Sequence, residues 1–405
     1  MMFLLAQINP VVGDLEGNAK KILYVASKAR SNSADLVLTP ELSLWGYPAN
    51  DLLLKKNLIK NQYQILDQLA SDINKKYGNL SITVGVAEMI NDSFFPNLYN
   101  SIALIECGEW KIIARKIILP TYEVFDEKRY FRSGEKVSVL TKEINNKSWR
   151  LGFTICEDLW VNKNIEGRGI HKKNPIFDLK KKKVDILVNL SASPYTFKKL
   201  ELRNKVSSFA AQYLQVPLIY VNQIGANDNL IFDGNSFILD KNGAKIKQLK
   251  SFSEDLCSWD IEQRKPQKNK FEKSEMSSIF DALVLGVRDY AKKCGFKTAL
   301  IGLSGGIDSA LVSAIATAAL GSDNIYCISM PSKWSSSHSK SDAKDLAGRL
   351  KINYDIIPIE NLMSSFEESF VKTISFEMAE ITNQNIQSRI RGTLLMALAN
   401  QEKHL

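Results

Sequence analysis

The chain has 405 residues, 45% apolar and 24% charged, a composition that fits a soluble globular protein of two or three domains. A net charge of +9 at pH 7 permits a nucleic-acid surface, but the lysine runs at Lys172-Lys173, Lys180 to Lys183 and Lys198-Lys199 read as solvated helix ends and loops without the stacking platforms such a surface needs. No apolar run reaches the roughly 18 residues of a membrane helix, Met1 to Ala6 is too short for a secretory signal, and five scattered cysteines with three histidines suggest neither a disulfide framework nor a zinc site. The expectation is a cytoplasmic protein with small-molecule partners, no nucleic acid and no membrane.

In chain order, Phe3 to Ile8 predicts a buried strand and Asn18 to Ala29 a helix with Ile22, Val25, Ala26 and Ala29 on one face. A strand over Asp35 to Thr39 ends at Pro40-Glu41. A helix over Ile59 to Ile73 follows, then strands Ser81 to Ala87, Ser101 to Glu106, Lys111 to Ile118, Trp149 to Cys156 and Val184 to Asn189, a helix Lys199 to Tyr213, and a strand Leu218 to Asn222. Strands and helices interleaved in this way predict a layered α/β domain over 1–262, with two sheets because some neighbouring strands are joined by hairpin-length turns. The polar, lysine-rich stretch 263–275 reads as a linker.

The second domain, 276–405, opens with a helix from Ser277 to Lys293 and a strand from Thr298 to Leu303. The turn Ser304-Gly305-Gly306-Ile307-Asp308-Ser309 then leads into an apolar, buried helix, Ala310 to Leu320. Such a turn points successive N–H groups at one spot, where the helix N-terminus adds partial positive charge, and predicts a phosphate site. A strand Ile325 to Ser329 and a polar loop Lys333 to Ser341 follow. The next helix carries Ala343, Leu346, Ala347 and Leu350 at helical spacing behind a capping box at Ser339 to Asp342. With a last strand at Tyr354 to Ile359, the alternation predicts a doubly wound nucleotide-binding sheet.

Three residues at the ends of apolar strands form a candidate catalytic set: Glu41, Lys116 and Cys156. Strand ends are where open α/β sheets gather ligands. A carboxylate in an apolar site can take a thiol proton, and a lysine beside it can stabilise the oxyanion formed when sulfur attacks an amide. Taken singly, each has a plain reading: a small buried hydrophobe, an exposed strand residue, a cap.

Pro40-Glu41, Arg115-Lys116 with Leu119 to Phe131, and Ile155-Cys156-Glu157-Asp158-Leu159-Trp160 resemble the carbon-nitrogen hydrolase (nitrilase) superfamily, in the version fused to glutamine-dependent NAD synthetases. The Ser304 to Ser309 loop resembles the SGGxDS pyrophosphate loop of enzymes that split ATP into AMP and pyrophosphate. The resemblance covers essentially all 405 residues. It implies a four-layer αββα hydrolase sandwich followed by a doubly wound parallel nucleotide-binding domain, incomplete here, in a homo-oligomer. It implies that Glu41 is the general base, Lys116 the oxyanion support and Cys156 the nucleophile. Glutamine would be held by Tyr122, Glu157, Ser193 and Lys199, the last standing where an arginine is frequent.

In the second domain the resemblance assigns Ser304, Gly305, Gly306, Asp308, Ser309, Met330 and Lys333 to ATP, Asp308 also to Mg2+, and Asn385 and Arg389 to deamido-NAD. The activity implied is NAD synthesis with ammonia from glutamine; the alternative is a stand-alone amidase whose second domain only binds nucleotide. The family's domain also runs past Leu405 to a segment with another magnesium-binding glutamate. The expectation is therefore that this chain is a fragment or that its synthetase half is weakened.

Overall fold

The computed structural model describes residues 1–90, 95–161, 173–263, 274–374 and 379–405. His171, Lys172 and residues 264–273 of the expected linker lie outside the described residues. The chain divides into two units, Met1–Glu275 and Met276–Leu405.

Phe3 to Ala6 are apolar at every position, so both faces of this strand must be covered. The first unit does this with two sheets and four helices. In chain order come β1 (Met2–Gln7), α1 (Leu15–Ser31), β2 (Leu36–Leu38), α2 (Lys56–Tyr77), β3 (Ser81–Met89), β4 (Leu98–Glu106), β5 (Glu109–Arg115), β6 (Ser138–Ile144), β7 (Lys147–Ile155), α3 (Pro175–Lys182), β8 (Ile186–Ser191), α4 (Lys199–Leu214) and β9 (Leu218–Asn222). A small hairpin, β10 (Ile224–Asn227) and β11 (Leu230–Asp233), then precedes β12 (Phe237–Leu239), β13 (Lys245–Gln248) and β14 (Asp255–Asp260).

The two sheets are six-stranded, with orders β14-β1-β2-β3-β4-β5 and β13-β12-β9-β8-β7-β6. Side chains alternate across each strand and so sort into three cores. Leu4, Val37 and Ile82 meet Ile22 of α1 and Leu66 of α2 in one core. Phe3, Leu5 and Leu36 meet Phe153, Val188 and Ile219 between the sheets. Leu187 and Leu218 meet Leu179 of α3 and Val206 of α4 in the third. The layers are therefore helix, sheet, sheet, helix. Strands β1 to β3 are mutually parallel, as are β7 to β9. Glu41 and Cys156 thus follow carboxyl ends of parallel strands.

The second unit contains α5 (Glu275–Cys294), which opens at the boundary, then β15 (Ala299–Gly302), α6 (Ile307–Leu320), β16 (Ile325–Ser329), α7 (Ser337–Leu350), β17 (Asn353–Ile356), α8 (Glu360–Ile374) and α9 (Glu380–Glu402). The three strands are parallel in the order β15-β16-β17. Ala316 of α6 with Ala343 and Ala347 of α7 cover one face, and Met363 of α8 with Ile390 of α9 cover the other. After α9 the chain returns to the opposite side of β15. Leu405 N donates to Thr298 O at 2.9 Å and Leu300 N to Leu405 O at 3.0 Å, the bonding of a parallel ladder. The order of connection therefore reverses at β15, the strand that feeds the glycine turn.

Three local expectations are corrected. The last strand is Asn353–Ile356 rather than Tyr354 to Ile359, although Ile357 N still donates to Ser329 O at 2.8 Å and Ile359 N to Pro331 O at 3.0 Å beyond it. Helix α7 begins at Ser337, inside the expected loop, and its cap is Ser336, whose hydroxyl accepts from Ser339 N at 3.1 Å; the serine-rich stretch offered two frames and the earlier one is used. Helix α6 is apolar all round yet buried on one face only, with Leu311 52% and Val312 51% exposed.

Gln62 of α2 shows what holds the site's surroundings. It is fully buried; its Oε1 accepts from Trp45 Nε1 (2.5 Å) and Ala87 N (2.9 Å), and its Nε2 donates to Ala87 O at 2.7 Å. Gln62→Leu keeps the volume but leaves those groups without partners. Chemical denaturation should show a loss of about 2–4 kcal/mol.

Candidate active site

The first unit gathers two carboxylates, an ammonium and a thiol near the ends of β2, β5 and β7. Lys116 is one residue past β5, and its Nζ, fully buried, lies 2.6 Å from Glu41 Oε1 and 2.7 Å from Glu127 Oε1. Glu41 Oε1 also accepts from Asn100 Nδ2 at 2.7 Å, and its Oε2 from the backbone N–H of Ala192 at 2.9 Å. Glu127, in a 3-10 turn over Glu127–Arg129, accepts in addition from the Tyr47 hydroxyl at 2.8 Å.

Burial alone would depress Lys116, but the Glu127 and Glu41 carboxylates hold its pKa well above the ordinary lysine value, so it is an ammonium. Glu127 is pushed up to about 7, by burial first, with Lys116 pulling it back. Tyr47 is raised by burial and by Glu127, so its hydroxyl keeps the proton it donates.

Cys156 does not close the strand as expected. Strand β7 ends at Ile155, and Cys156 begins a 3-10 turn, Cys156–Leu159, with φ of 46°. A left-handed backbone is costly for a residue with a Cβ and is found where surrounding structure imposes it. The thiol is buried, and its pKa is raised well above 9.0, first by burial and then by the Glu41 carboxylate. At rest it is a neutral thiol.

Of the expected glutamine contacts, Glu157 is buried and accepts from the Tyr122 hydroxyl at 2.9 Å. Ser193 is buried, and its Oγ accepts from Arg203 Nε at 3.1 Å. Lys199 is half-buried at the start of α4 with its Nζ 5.0 Å from the Trp160 ring, four residues beyond Cys156. Arg203, read from sequence only as one more helix residue, is fully buried; it pairs with Asp233 at 2.7 Å and donates to Ser193 O and Pro194 O. Asp158 is likewise buried, and burial lifts its carboxyl to about 7 against three backbone donors. Glu127 and Asp158 lay in the stretches that carried the family resemblance, but no spacing rule marked them. Asn100 had no signal.

In the second unit the glycine turn is closely packed and braced. Gly305 has φ of 86°, and a Cβ there would stand 2.2 Å from Ser339 O, so glycine is required twice over. Ser304 Oγ and Ser309 Oγ are 3.1 Å apart, and Ser309 Oγ donates to Gly306 O at 2.9 Å. The hydroxyls thus brace the turn. Helix α6 has Gly306 as its cap and no side-chain cap bond, leaving its first N–H groups directed outward, with Asp308 in its first turn.

A pocket of about 390 Å³ lies at the ends of β15 and β16, lined among others by Gly302, Ser304, Met330, Lys340, Arg391 and Leu395. Lys333 is not among its lining residues; its ammonium stacks on Trp334 at 4.5 Å. Asn385 and Arg389 are exposed on α9 and do not line it either. Arg391 does. Its Nε donates to Met330 O at 3.0 Å, and burial lowers its pKa.

Residues 5–268 match the carbon-nitrogen hydrolase family and residues 279–405 the NAD synthase family. The chain is 43% identical over 99% of its length to a glutamine-dependent NAD(+) synthetase of Synechocystis sp., covering 72% of it. It belongs to the glutamine-dependent NAD(+) synthetases. The relative from Thermotoga maritima, of the same description, is 36% identical over 98% of this chain and 72% of its own length. The solved structure of the Acinetobacter baumannii glutamine-dependent NAD+ synthetase, in complex with adenosine diphosphate, superposes with a TM-score of 0.88 at 34% identity, over 100% of this chain and 73% of that one. A further synthetase structure, from Cytophaga hutchinsonii, shares the fold at 20% identity with a TM-score of 0.83.

The synthetase's resting thiol can be tested directly. The thiolate ultraviolet absorbance lost in Cys156→Ser should be undetectable at neutral pH and should appear only as pH rises past the ordinary cysteine value. A full thiolate signal at neutral pH would mean that Lys116 outweighs burial and Glu41.

Proposed function

We propose that the chain makes NAD from deamido-NAD, ATP and glutamine, with glutamine split in the first unit and ATP in the second. The observation that carries the first half is the buried Glu41–Lys116–Glu127 cluster beside a thiol on a left-handed turn. Glu41 takes the Cys156 proton as sulfur attacks the glutamine amide carbon, and the oxyanion that forms is stabilised by Lys116. As the C–N bond breaks, the proton on Glu41 passes to the leaving nitrogen and ammonia departs, leaving a thioester. Glu41 then deprotonates a water that attacks the thioester; the C–S bond breaks, sulfur regains a proton and glutamate leaves. Tyr122, Glu157, Ser193 and Lys199 hold the substrate in this reading, with Arg203 setting the Ser193 hydroxyl.

In the second unit ATP transfers its adenylyl group to the deamido-NAD carboxylate and releases pyrophosphate; ammonia then displaces AMP to give the amide. Ser304, Gly305, Gly306 and Ser309 cradle the pyrophosphate on the uncapped end of α6, and Met330 meets the base. Asp308 would hold Mg2+. A single carboxylate fits that ion, which takes few protein ligands and completes its shell with phosphate and water oxygens. Bound there, it would neutralise phosphate charge. Lys333, Asn385 and Arg389 are read as outer contacts, Asn385 and Arg389 toward deamido-NAD. Arg391 is added as a cation of the pocket itself.

Two measurements test the assignment. Cys156→Ala should lower glutamine-supported NAD formation by about 10⁴-fold or more, with ammonia-supported formation within about twofold of wild type; equal loss with both donors would overturn the division of labour. Arg391→Ala should raise the KM for ATP about tenfold, the loss of one charge-assisted contact, while the KM for deamido-NAD stays within about twofold. Equal rises for both substrates would place Arg391 outside the ATP pocket.

A further inference from the structure

Cys156 and Lys116 belong to different sheets, and the reaction needs the sulfur and the ammonium in register. β5, the last strand of the first sheet, ends at Arg115; β7 of the second sheet ends at Ile155. Beyond those points Ile117 and Ile118 are buried and have left the strand. Asp158 supplies their partner. Its Oδ1 accepts from Ile117 N at 2.9 Å and Ile118 N at 2.7 Å, and its Oδ2 accepts from Ile155 N at 3.1 Å. One buried carboxylate therefore grips the residue after Lys116 with one oxygen and the residue before Cys156 with the other.

The side chains are fixed separately. Lys116 Nζ is held by Glu41 and Glu127. Those contacts set the ammonium against the carboxylates, whereas the Asp158 bonds set the Lys116 backbone against the Cys156 turn. A carboxylate is suited to this because both oxygens accept and neither donates, so it can face N–H groups on two sides at once.

We propose that Asp158 is a positioning residue that sets the Lys116 ammonium in register with the Cys156 thiol across the two sheets, acting through their backbones. The inference rests on the roles proposed above for Cys156 and Lys116. It separates this function from mere stability: misplacing the oxyanion support raises the barrier without weakening the ground-state grip on glutamine, and an error near 1 Å costs about a hundredfold in rate.

The test uses Asp158→Asn and Asp158→Ala with glutamate release from glutamine as the assay. Rates are normalised to sites counted as molecules in the size-exclusion peak of native size, so that unfolded molecules drop out. Asn keeps an oxygen for Ile117 and Ile118 but presents an amide NH₂ to Ile155 N–H, so it releases the cysteine side alone; Ala releases both. We expect kcat per counted site to fall about tenfold for Asn and about a hundredfold for Ala, with KM within about twofold of wild type in each. An unchanged kcat per site in Asp158→Asn, which tells even if the Ala variant does not fold, would reduce Asp158 to a structural residue. A raised KM at unchanged kcat would make it a binding residue. Persistent glutamine hydrolysis by Cys156→Ala would instead sink the underlying reading, and so the two failures are distinguishable.

Discussion

The first unit depends on burying the Lys116 ammonium between two carboxylates. Stripping water from an ammonium is costly, and the cost is offset only when opposite charge and hydrogen bonds are already in place. Here Glu41 and Glu127 lie within 2.7 Å of Nζ, while Asn100, Ala192 N and Tyr47 donate to the carboxylates in turn, and only Glu127 Oε2 of the four oxygens is left without a partner. With both carboxylates charged the cluster carries one net negative charge. Adding a thiolate would make it two in a water-poor site, which is the physical reason Cys156 stays protonated. The Glu127 carboxyl is pushed up to about 7 by burial first, with Lys116 pulling it back and the Glu41 charge raising it further.

Both units put their chemistry at the place where a parallel strand stops and the chain must turn. The ends of β2 and β7 deliver Glu41 and Cys156, and the end of β15 delivers the glycine turn. The turn at Cys156 bears a side chain in a left-handed conformation, whereas the turn at Gly305 leaves that conformation to glycine and uses the missing Cβ to pack on Ser339. The first places a buried thiol beside the Glu41–Lys116 cluster; the second leaves the start of α6 without a side-chain cap. The reversal of connection at β15 sets the turn beside a pocket lined by Gly302, Leu303 and Ser304.

What was legible in the sequence was what lies along one stretch of chain. Apolar runs ending in Glu41, Lys116 and Cys156, and a glycine turn between a strand and a helix, are local patterns, and local patterns gave the α/β layering and the loop. The partners were not legible, because they arrive through tertiary packing. Asn100 comes from β4, Ala192 from beyond β8 and Arg391 from α9, each tens of residues from what it touches. Lys333, assigned to ATP by the resemblance, has its ammonium over the neighbouring Trp334 indole, a contact that sequence alone did not suggest. Boundaries failed where capping chemistry overrode periodicity, as at Ser336, whose hydroxyl starts α7 earlier than the apolar spacing.

A thiol kept neutral at rest changes how reactivity is stored. A preformed thiolate is the form that oxidants attack, so an enzyme holding one is exposed between turnovers. In the reaction proposed above, Cys156 acquires charge only as it loses its proton to Glu41, and Glu41 accepts that proton with the Lys116 ammonium at hand to balance the oxyanion that replaces it. In that proposal no negative charge is added to the site during attack; it moves from the carboxylate to the substrate oxygen, with Lys116 adjacent to the first and available to the second. The buried ion pair is therefore more than a clamp on a side chain. It keeps the cluster's charge constant along the reaction, which is the condition under which a site with little water can support the step at all.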